Sequence, residues 1–268
     1  LIRRITESSA NRTKFPIFSP DGIWIAAWTE VDGEEQLVLR SSDNSAPARQ
    51  VGKQSGGWHY WVAWSPDSKR FAWGDQTHQL YVADAQSGQT QVVDKADWEI
   101  AEYQWSPDSR YLSYTATLPS GLGQVRVWDS ADRSVHPISD PMVNAFSSTW
   151  DPDGKYLDYL SDCYINPYLD RFEARFTVDR ATKPVIVALR ADGKLPFAPR
   201  SDRDAVDETK KDDKANEDAK DSKKGAKDAA PKVEPIVIDW DGIQSRFVEV
   251  PVAPGNFYGL TALSGVTF

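Results

Sequence analysis

The chain has 268 residues, 40% hydrophobic and 26% charged, which is enough apolar side chain for one large domain core or two small ones. Its formal net charge of −9 repels phosphate backbones and anionic bilayers, so neither nucleic acid nor a membrane is an expected partner. A single cysteine, Cys163, excludes an internal disulfide and leaves no basis for a cysteine-held metal; no metal or other cofactor is expected, and a reducing, cytoplasmic compartment fits, with the periplasm as alternative.

Residues 1–6 read as a strand entered in mid-pattern, and residues 262–268 stop in mid-pattern, as in a segment of a longer polypeptide. Between them a turn recurs. Phe18-Ser-Pro-Asp-Gly22 returns as Trp64-Ser-Pro-Asp-Ser68, as Trp105-Ser-Pro-Asp-Ser109 and as Trp150-Asp-Pro-Asp-Gly154. The prolines stand at 20, 66, 107 and 152, so the steps are 46, 41 and 45 residues. Serine or aspartate opens the turn by bonding the backbone ahead of it, proline fixes φ, and aspartate with glycine or serine suits the positions that follow. After each turn come short runs rich in β-branched and aromatic residues, such as Arg70-Phe-Ala-Trp, Gln79-Leu-Tyr-Val-Ala and Thr90-Gln-Val-Val. Repeats of this length with four strands each predict an all-β fold, a β-propeller of four-stranded antiparallel blades. The blades are expected over 13–52, 58–95, 99–139 and 143–199, with parts of others at both ends.

Two stretches break the repeat. Residues 163–184 form an insertion with its own aromatics in the fourth blade, read as an extra hairpin over a blade end. Residues 201–232 hold ten acidic and nine basic side chains and almost no large apolar ones, the signature of a disordered surface loop. Blades over 1–200 and closing strands over 233–268 flank that loop. Residues 236–240 and 246–250 read as third and fourth strands of a late blade, and residues 256–263 as the first strand of the next.

Catalytic chemistry finds little support. Ser19, Ser65 and Ser106 are explained by the turns, no serine lies in a Gly-x-Ser-x-Gly elbow, and Asp151 and Asp153 flank a turn proline. His59 lies on an inner strand, where it either faces the propeller axis or packs in the core. No catalytic residue is assigned.

The turn Trp-Ser-Pro-Asp-[Gly/Ser]-[Lys/Arg] resembles that of several propeller families: tricorn-type peptidases, the periplasmic Tol-system propeller and the dipeptidyl-peptidase group. The order Trp150-Asp-Pro-Asp-Gly-Lys-Tyr-Leu-Asp-Tyr-Leu, Lys183-Pro-Val-Ile-Val-Ala-Leu-Arg190, Pro196-Phe-Ala-Pro-Arg200, the charged loop and Ile236-Val-Ile-Asp-Trp240 resembles the second, larger propeller of tricorn-like serine peptidases. The resemblance implies a propeller that gates or guides oligopeptides to a peptidase core, partners in the chain's own PDZ and peptidase domains, and a homo-oligomer. The Ser, His and Glu machinery belongs to that core and maps onto no position here. Under this reading His59, Tyr168 and Arg171 are the candidates for lining a peptide channel. A Tol-type interaction propeller and the propeller of a prolyl-oligopeptidase-type enzyme are the alternatives.

Overall fold

The computed structural model describes residues 12–52, 57–164, 167–169, 176–197, 234–264 and 266–267. Residues 1–6 and the charged stretch 201–232 therefore lie outside the described residues.

Each Ser-Pro-Asp turn closes in the same way. In the second blade the Ser65 N–H donates to Arg70 O at 2.8 Å, and the Ser68 N–H donates to Ser65 O at 2.9 Å. The Ser65 hydroxyl donates to Asp67 at 2.6 Å, while Asp67 accepts from the Lys69 N–H at 3.0 Å. Ser19 with Asp21 and Ser106 with Asp108 repeat this pattern. Every turn thus joins the first strand of a blade to the second.

The first blade contains β1 (Thr13–Phe18), β2 (Trp24–Val31), β3 (Glu34–Ser41) and β4 (Arg49–Gln50). The second contains β5 (His59–Trp64), β6 (Arg70–Asp75), β7 (Gln79–Asp84) and β8 (Thr90–Lys95). The third contains β9 (Ile100–Trp105), β10 (Tyr111–Thr117), β11 (Gly123–Asp129) and β12 (Val135–Pro137). Each is a four-stranded antiparallel meander in chain order. First strands of neighbouring blades lie against one another, β1 on β5 and β5 on β9, so they form the inner wall.

The fourth blade departs from the expected 143–199. It consists of β13 (Asn144–Trp150), β14 (Tyr156–Asp162), β17 (Thr182–Ala188) and β18 (Phe247–Glu249), and β13 continues the inner wall beside β9. Its outer strand therefore comes from beyond the charged stretch, with Ile186 opposite Val248. Between β14 and β17 stands a hairpin, β15 (Pro167–Leu169) paired with β16 (Phe176–Val178), as the insertion predicts. Residues 236–240 are not a strand. Ile236 and Ile238 are buried in the joint between the third and fourth blades, and the Ile236 N–H donates to Asp108 at 2.8 Å. Alternate burial in this extended segment mimics a strand, but its partners are side chains of two blades. The expected strand over 256–263 is likewise replaced by a short hairpin, β19 (Ala262–Leu263) with β20 (Val266–Thr267).

The core is divided by joint. Trp28, Leu37 and Leu39 of the first blade pack with Val62, Phe71 and Trp73 of the second. Leu80 and Val82 pack with Ile100, Trp105 and Leu112, and Val125 and Val127 with Trp150, Leu157 and Val185. The turns add a polar clip to these joints. Gly22, Ser68, Ser109 and Gly154 are equivalent and all left-handed, with φ between 60° and 72°. That conformation costs a non-glycine residue roughly 1–2 kcal/mol. Ser68 and Ser109 offset it by reaching back across the joint: Ser68 Oγ accepts the Asp21 N–H and Ser109 Oγ the Asp67 N–H, both at 3.0 Å. At Gly154 the segment returning at Ile236 fills that place, and a Cβ would lie 2.7 Å from Ile236 Cγ1. Gly154→Ala is therefore expected to lower stability by about 1–3 kcal/mol through overpacking and backbone strain, read from the shift in denaturant midpoint.

Candidate functional site

The inner wall is built from the first strands, β1, β5, β9 and β13. Each inner strand contains a bulge at which two of its residues oppose one on the second strand, as the register breaks show. Three residues before each turn aromatic stand Phe15, Trp61, Glu102 and Ser147. Phe15, Glu102 and Ser147 are left-handed there. Counted back from the turn, this position holds an apolar ring on two blades and a polar group on the next two, though in β5 it is the second residue of the bulge rather than the first.

Glu102 and Ser147 lock two bulges together. One Glu102 oxygen accepts the Ser147 N–H at 2.6 Å and the Thr115 hydroxyl at 3.0 Å, and the other accepts the Ser147 hydroxyl at 2.8 Å. Trp61 is 45% exposed and stacks on Tyr103, ring centroids 5.4 Å apart. Tyr103 donates its phenolic hydrogen to the Trp61 carbonyl, and burial holds its pKa well above the ordinary range.

His59 has a different position. It is 2% exposed and stacks on Trp28 at 4.2 Å, in the joint between the first and second blades. Its Nδ1 lies 3.7 Å from Glu35, which is paired with Lys14. Burial pushes its pKa below the usual value, against the opposing pull of Asp75 and Glu35. Because the folded-state pKa is depressed, the unfolded chain binds the proton more tightly. The stability from this site is complete above about pH 6.5 and declines as pH falls below it. His59→Phe, which keeps a ring against Trp28, should flatten the loss of thermal midpoint between about pH 6.5 and about pH 5 relative to the parent protein.

Of the other channel candidates, Tyr168 belongs to β15 and Arg171 lies outside the described residues. The base of that hairpin is tied to the blade by charge. Glu249 accepts from the Tyr164 hydroxyl at 2.7 Å and from Lys183 at 3.2 Å, and these bonds draw its pKa down against burial. Asp162, the last residue of β14, lies opposite Asn144, so β14 ends at the blade end where inner strands begin, opposite the turns.

The turn end holds a groove of about 920 Å³, lined by Pro66, Pro107, Pro152, Trp105, Trp150 and Leu260 among others. A smaller cavity of about 390 Å³ lies on the fourth blade between Asp151, Tyr156, Ile186 and Phe197. Neither brings a nucleophile and its base together. Ser134 does touch both a carboxylate and an imidazole: its hydroxyl donates to Asp132 at 2.5 Å and lies 2.6 Å from His136 Nε2. The polarity is wrong for nucleophilic catalysis, because the carboxylate holds the hydroxyl hydrogen and the imidazole is left to donate rather than accept. His136 is further held flat against Trp240, 3.8 Å between centroids. Among the described residues no group of three or more His, Cys, Asp or Glu side chains is arranged to hold a metal ion, and no helix is long and apolar enough to cross a membrane.

Four-stranded antiparallel blades, joined at equivalent turns around a wall of first strands, define a β-propeller. The family model for the tricorn protease second β-propeller domain matches residues 1–268, and the chain belongs to that family. It is 25% identical over 204 residues to tricorn protease homolog 1 of Streptomyces coelicolor, covering 74% of this chain and 19% of that protein. It is 27% identical over 161 residues to the tricorn protease homolog of Saccharolobus solfataricus, covering 59% and 15%. The chain thus spans less than a fifth of the length of these curated relatives over the aligned parts. The crystal structure of the tricorn protease superposes with a TM-score of 0.70 at 16% identity, over 94% of this chain and 22% of that one.

Proposed function

We propose that this chain is the non-catalytic propeller of a cytoplasmic, oligomeric tricorn-type serine peptidase, and that its inner wall guides oligopeptides toward peptidase domains carried by the same protein. The family match across residues 1–268 carries the reading. The wall supports it: Trp61 and Gln104 are exposed on the inner strands β5 and β9, and Gln104 lines the turn-end groove. A peptide passing along this wall meets apolar rings on two blades and polar groups on the next two, which suits mixed sequences better than a uniform apolar pocket.

The test blocks the axis. In the intact protein, with exposed Cys163 first changed to serine, Gln104→Cys is labelled with a polyethylene-glycol maleimide. Hydrolysis of an internally quenched oligopeptide should fall at least about tenfold in kcat/KM, with far less effect on a dipeptide-sized substrate. Unchanged oligopeptide hydrolysis by the fully labelled protein would remove the guiding role.

A further inference from the structure

The end of the propeller opposite the turns carries aromatic side chains that the blade joints leave about half exposed. Trp58 is 51% exposed, Trp61 45% and Trp98 58%. Trp58 stands directly before β5 and Trp98 two residues before β9, so both rim the mouth at which inner strands begin. The N–H groups of Gln76, just after β6, and of Thr117, the last residue of β10, donate to the carbonyls of Trp58 and Glu99, so Trp98 stands one residue before the position equivalent to Trp58. These residues belong to the second and third blades, each flanked on both sides by described blades, so their exposure is not that of an open edge. Three exposed indoles around one mouth mark a surface that binds something.

Charge selects what binds. Asp97 and Glu99 flank Trp98 and are exposed. After burial, the Glu99 charge is the next cause raising the Tyr60 pKa, and it also acts on Tyr103, so its field reaches the space between the second and third blades. Of the cations nearby, Lys14 is already paired with Glu35, and Lys95 lies at the end of the outermost strand of its blade. Lys14 also shows how the surface treats a cation: its ammonium sits over the Trp58 ring, 4.1 Å from the centroid. Indole faces attract cations through their quadrupole, and neighbouring carboxylates add to that attraction while repelling anionic partners.

We propose that this mouth is a docking surface for cationic segments of oligopeptides, in which lysine or arginine side chains lie on Trp61 and Trp98 and are drawn by Asp97 and Glu99. The proposal rests on the peptide-guiding reading and adds a substrate class to it: basic peptides are captured in preference to acidic ones. Discrimination occurs at entry, before any chemistry, so it appears in binding and in KM rather than in kcat.

The intact protein, its hydrolytic activity blocked by a serine-reactive inhibitor, is titrated into two fluorescein-labelled, N-acetylated heptapeptides that differ only in three lysines against three glutamates. Anisotropy should show the lysine peptide binding about tenfold tighter, with the preference collapsing between about 50 mM and about 500 mM salt. Trp61→Ala with Trp98→Ala, and separately Glu99→Gln, should each reduce the preference about threefold or more, while Glu99→Asp retains it. Trp98 is exposed, so its replacement should leave the thermal midpoint unchanged, while Trp61→Ala removes a stack on Tyr103 and is compared at a temperature where the variant is fully folded; a folded variant whose preference persists would overturn the proposal. Equal affinity for the two peptides would overturn it as well, as would these tryptophans binding anionic vesicles instead. Equal affinity of the parent protein for the two peptides at low salt, with the Gln104 block still stopping hydrolysis, refutes this docking surface alone. A persistent preference with hydrolysis untouched by the block refutes the guiding role alone.

Discussion

Trp150→Ala is expected to destabilise the propeller by about 3–5 kcal/mol, the range for removing a large buried aromatic. Trp150 closes β13, is 4% exposed, and fills the joint between the third and fourth blades against Tyr111. Its indole N–H also donates to the Gln104 carbonyl at 3.2 Å, pinning the fourth inner strand to the third. Trp105 does the same one joint earlier, donating to Ala63 O at 3.0 Å. Large rings before the turns therefore act twice, as core and as cross-blade bolt. Trp150→Phe separates the two roles: it keeps most of the apolar surface, loses the indole hydrogen bond, and should cost about 1–3 kcal/mol, chiefly from that lost bond and the smaller ring. The check is equilibrium denaturation of both variants beside Trp98→Ala, an exposed tryptophan expected within about 0.5 kcal/mol of the parent. A Trp150→Ala effect as small as that of Trp98→Ala would show that the joint is not formed as described.

Glu102→Ala is expected to cost about 2–4 kcal/mol, and its effect should be local to the axis. The carboxylate is a charged acceptor for three hydrogen bonds, two of them from Ser147 on the neighbouring blade. Bonds to charged groups contribute about 1.5–3 kcal/mol each at most, and deletion also leaves the Ser147 N–H without its acceptor in a left-handed bulge. Glu102→Gln, with one acceptor oxygen in place of two, should fall between the parent and alanine. Amide hydrogen exchange is the discriminating readout: Ser147 should lose protection in Glu102→Ala while strands β10 and β11 keep theirs. Loss of protection spread evenly over the third blade would mean that Glu102 supports the sheet rather than the contact between bulges.

Much of this architecture is written in the turns. The Ser-Pro-Asp pattern fixes where each first strand ends and each second begins, because serine, proline and aspartate each have a local task there. The runs around Phe71 and Leu112 are short, rich in aromatic and β-branched residues and bounded by Gly, Ser and Asp, and they are buried almost throughout, so three blades follow directly. The fourth blade was less legible. Phe247–Glu249 is separated from its partner strand β17 by more than fifty residues, and no local pattern states which strand a short apolar run will pair with. Residues 236–240 mislead for a physical reason: burial of Ile236 and Ile238 with exposure of Val237 is the period of a strand, while the surroundings are the side chains of two blades. The site shows the same limit. His59 was recognisable as an inner-strand residue, yet only three-dimensional packing places it on Trp28 rather than on the axis. Phe15 and Trp61 are apolar rings while Glu102 and Ser147 are polar, so nothing but their equal distance from the turn aromatics could have joined all four.

The most direct test of the guiding role is a cryo-electron microscopy map of the intact, chemically inactivated protein saturated with a long oligopeptide. Peptide density running along the inner wall, past Trp61 and Gln104 toward the turn end, is the predicted result. Density that reaches the peptidase domains by a route outside the propeller, with the inner wall empty at saturating peptide, would contradict it.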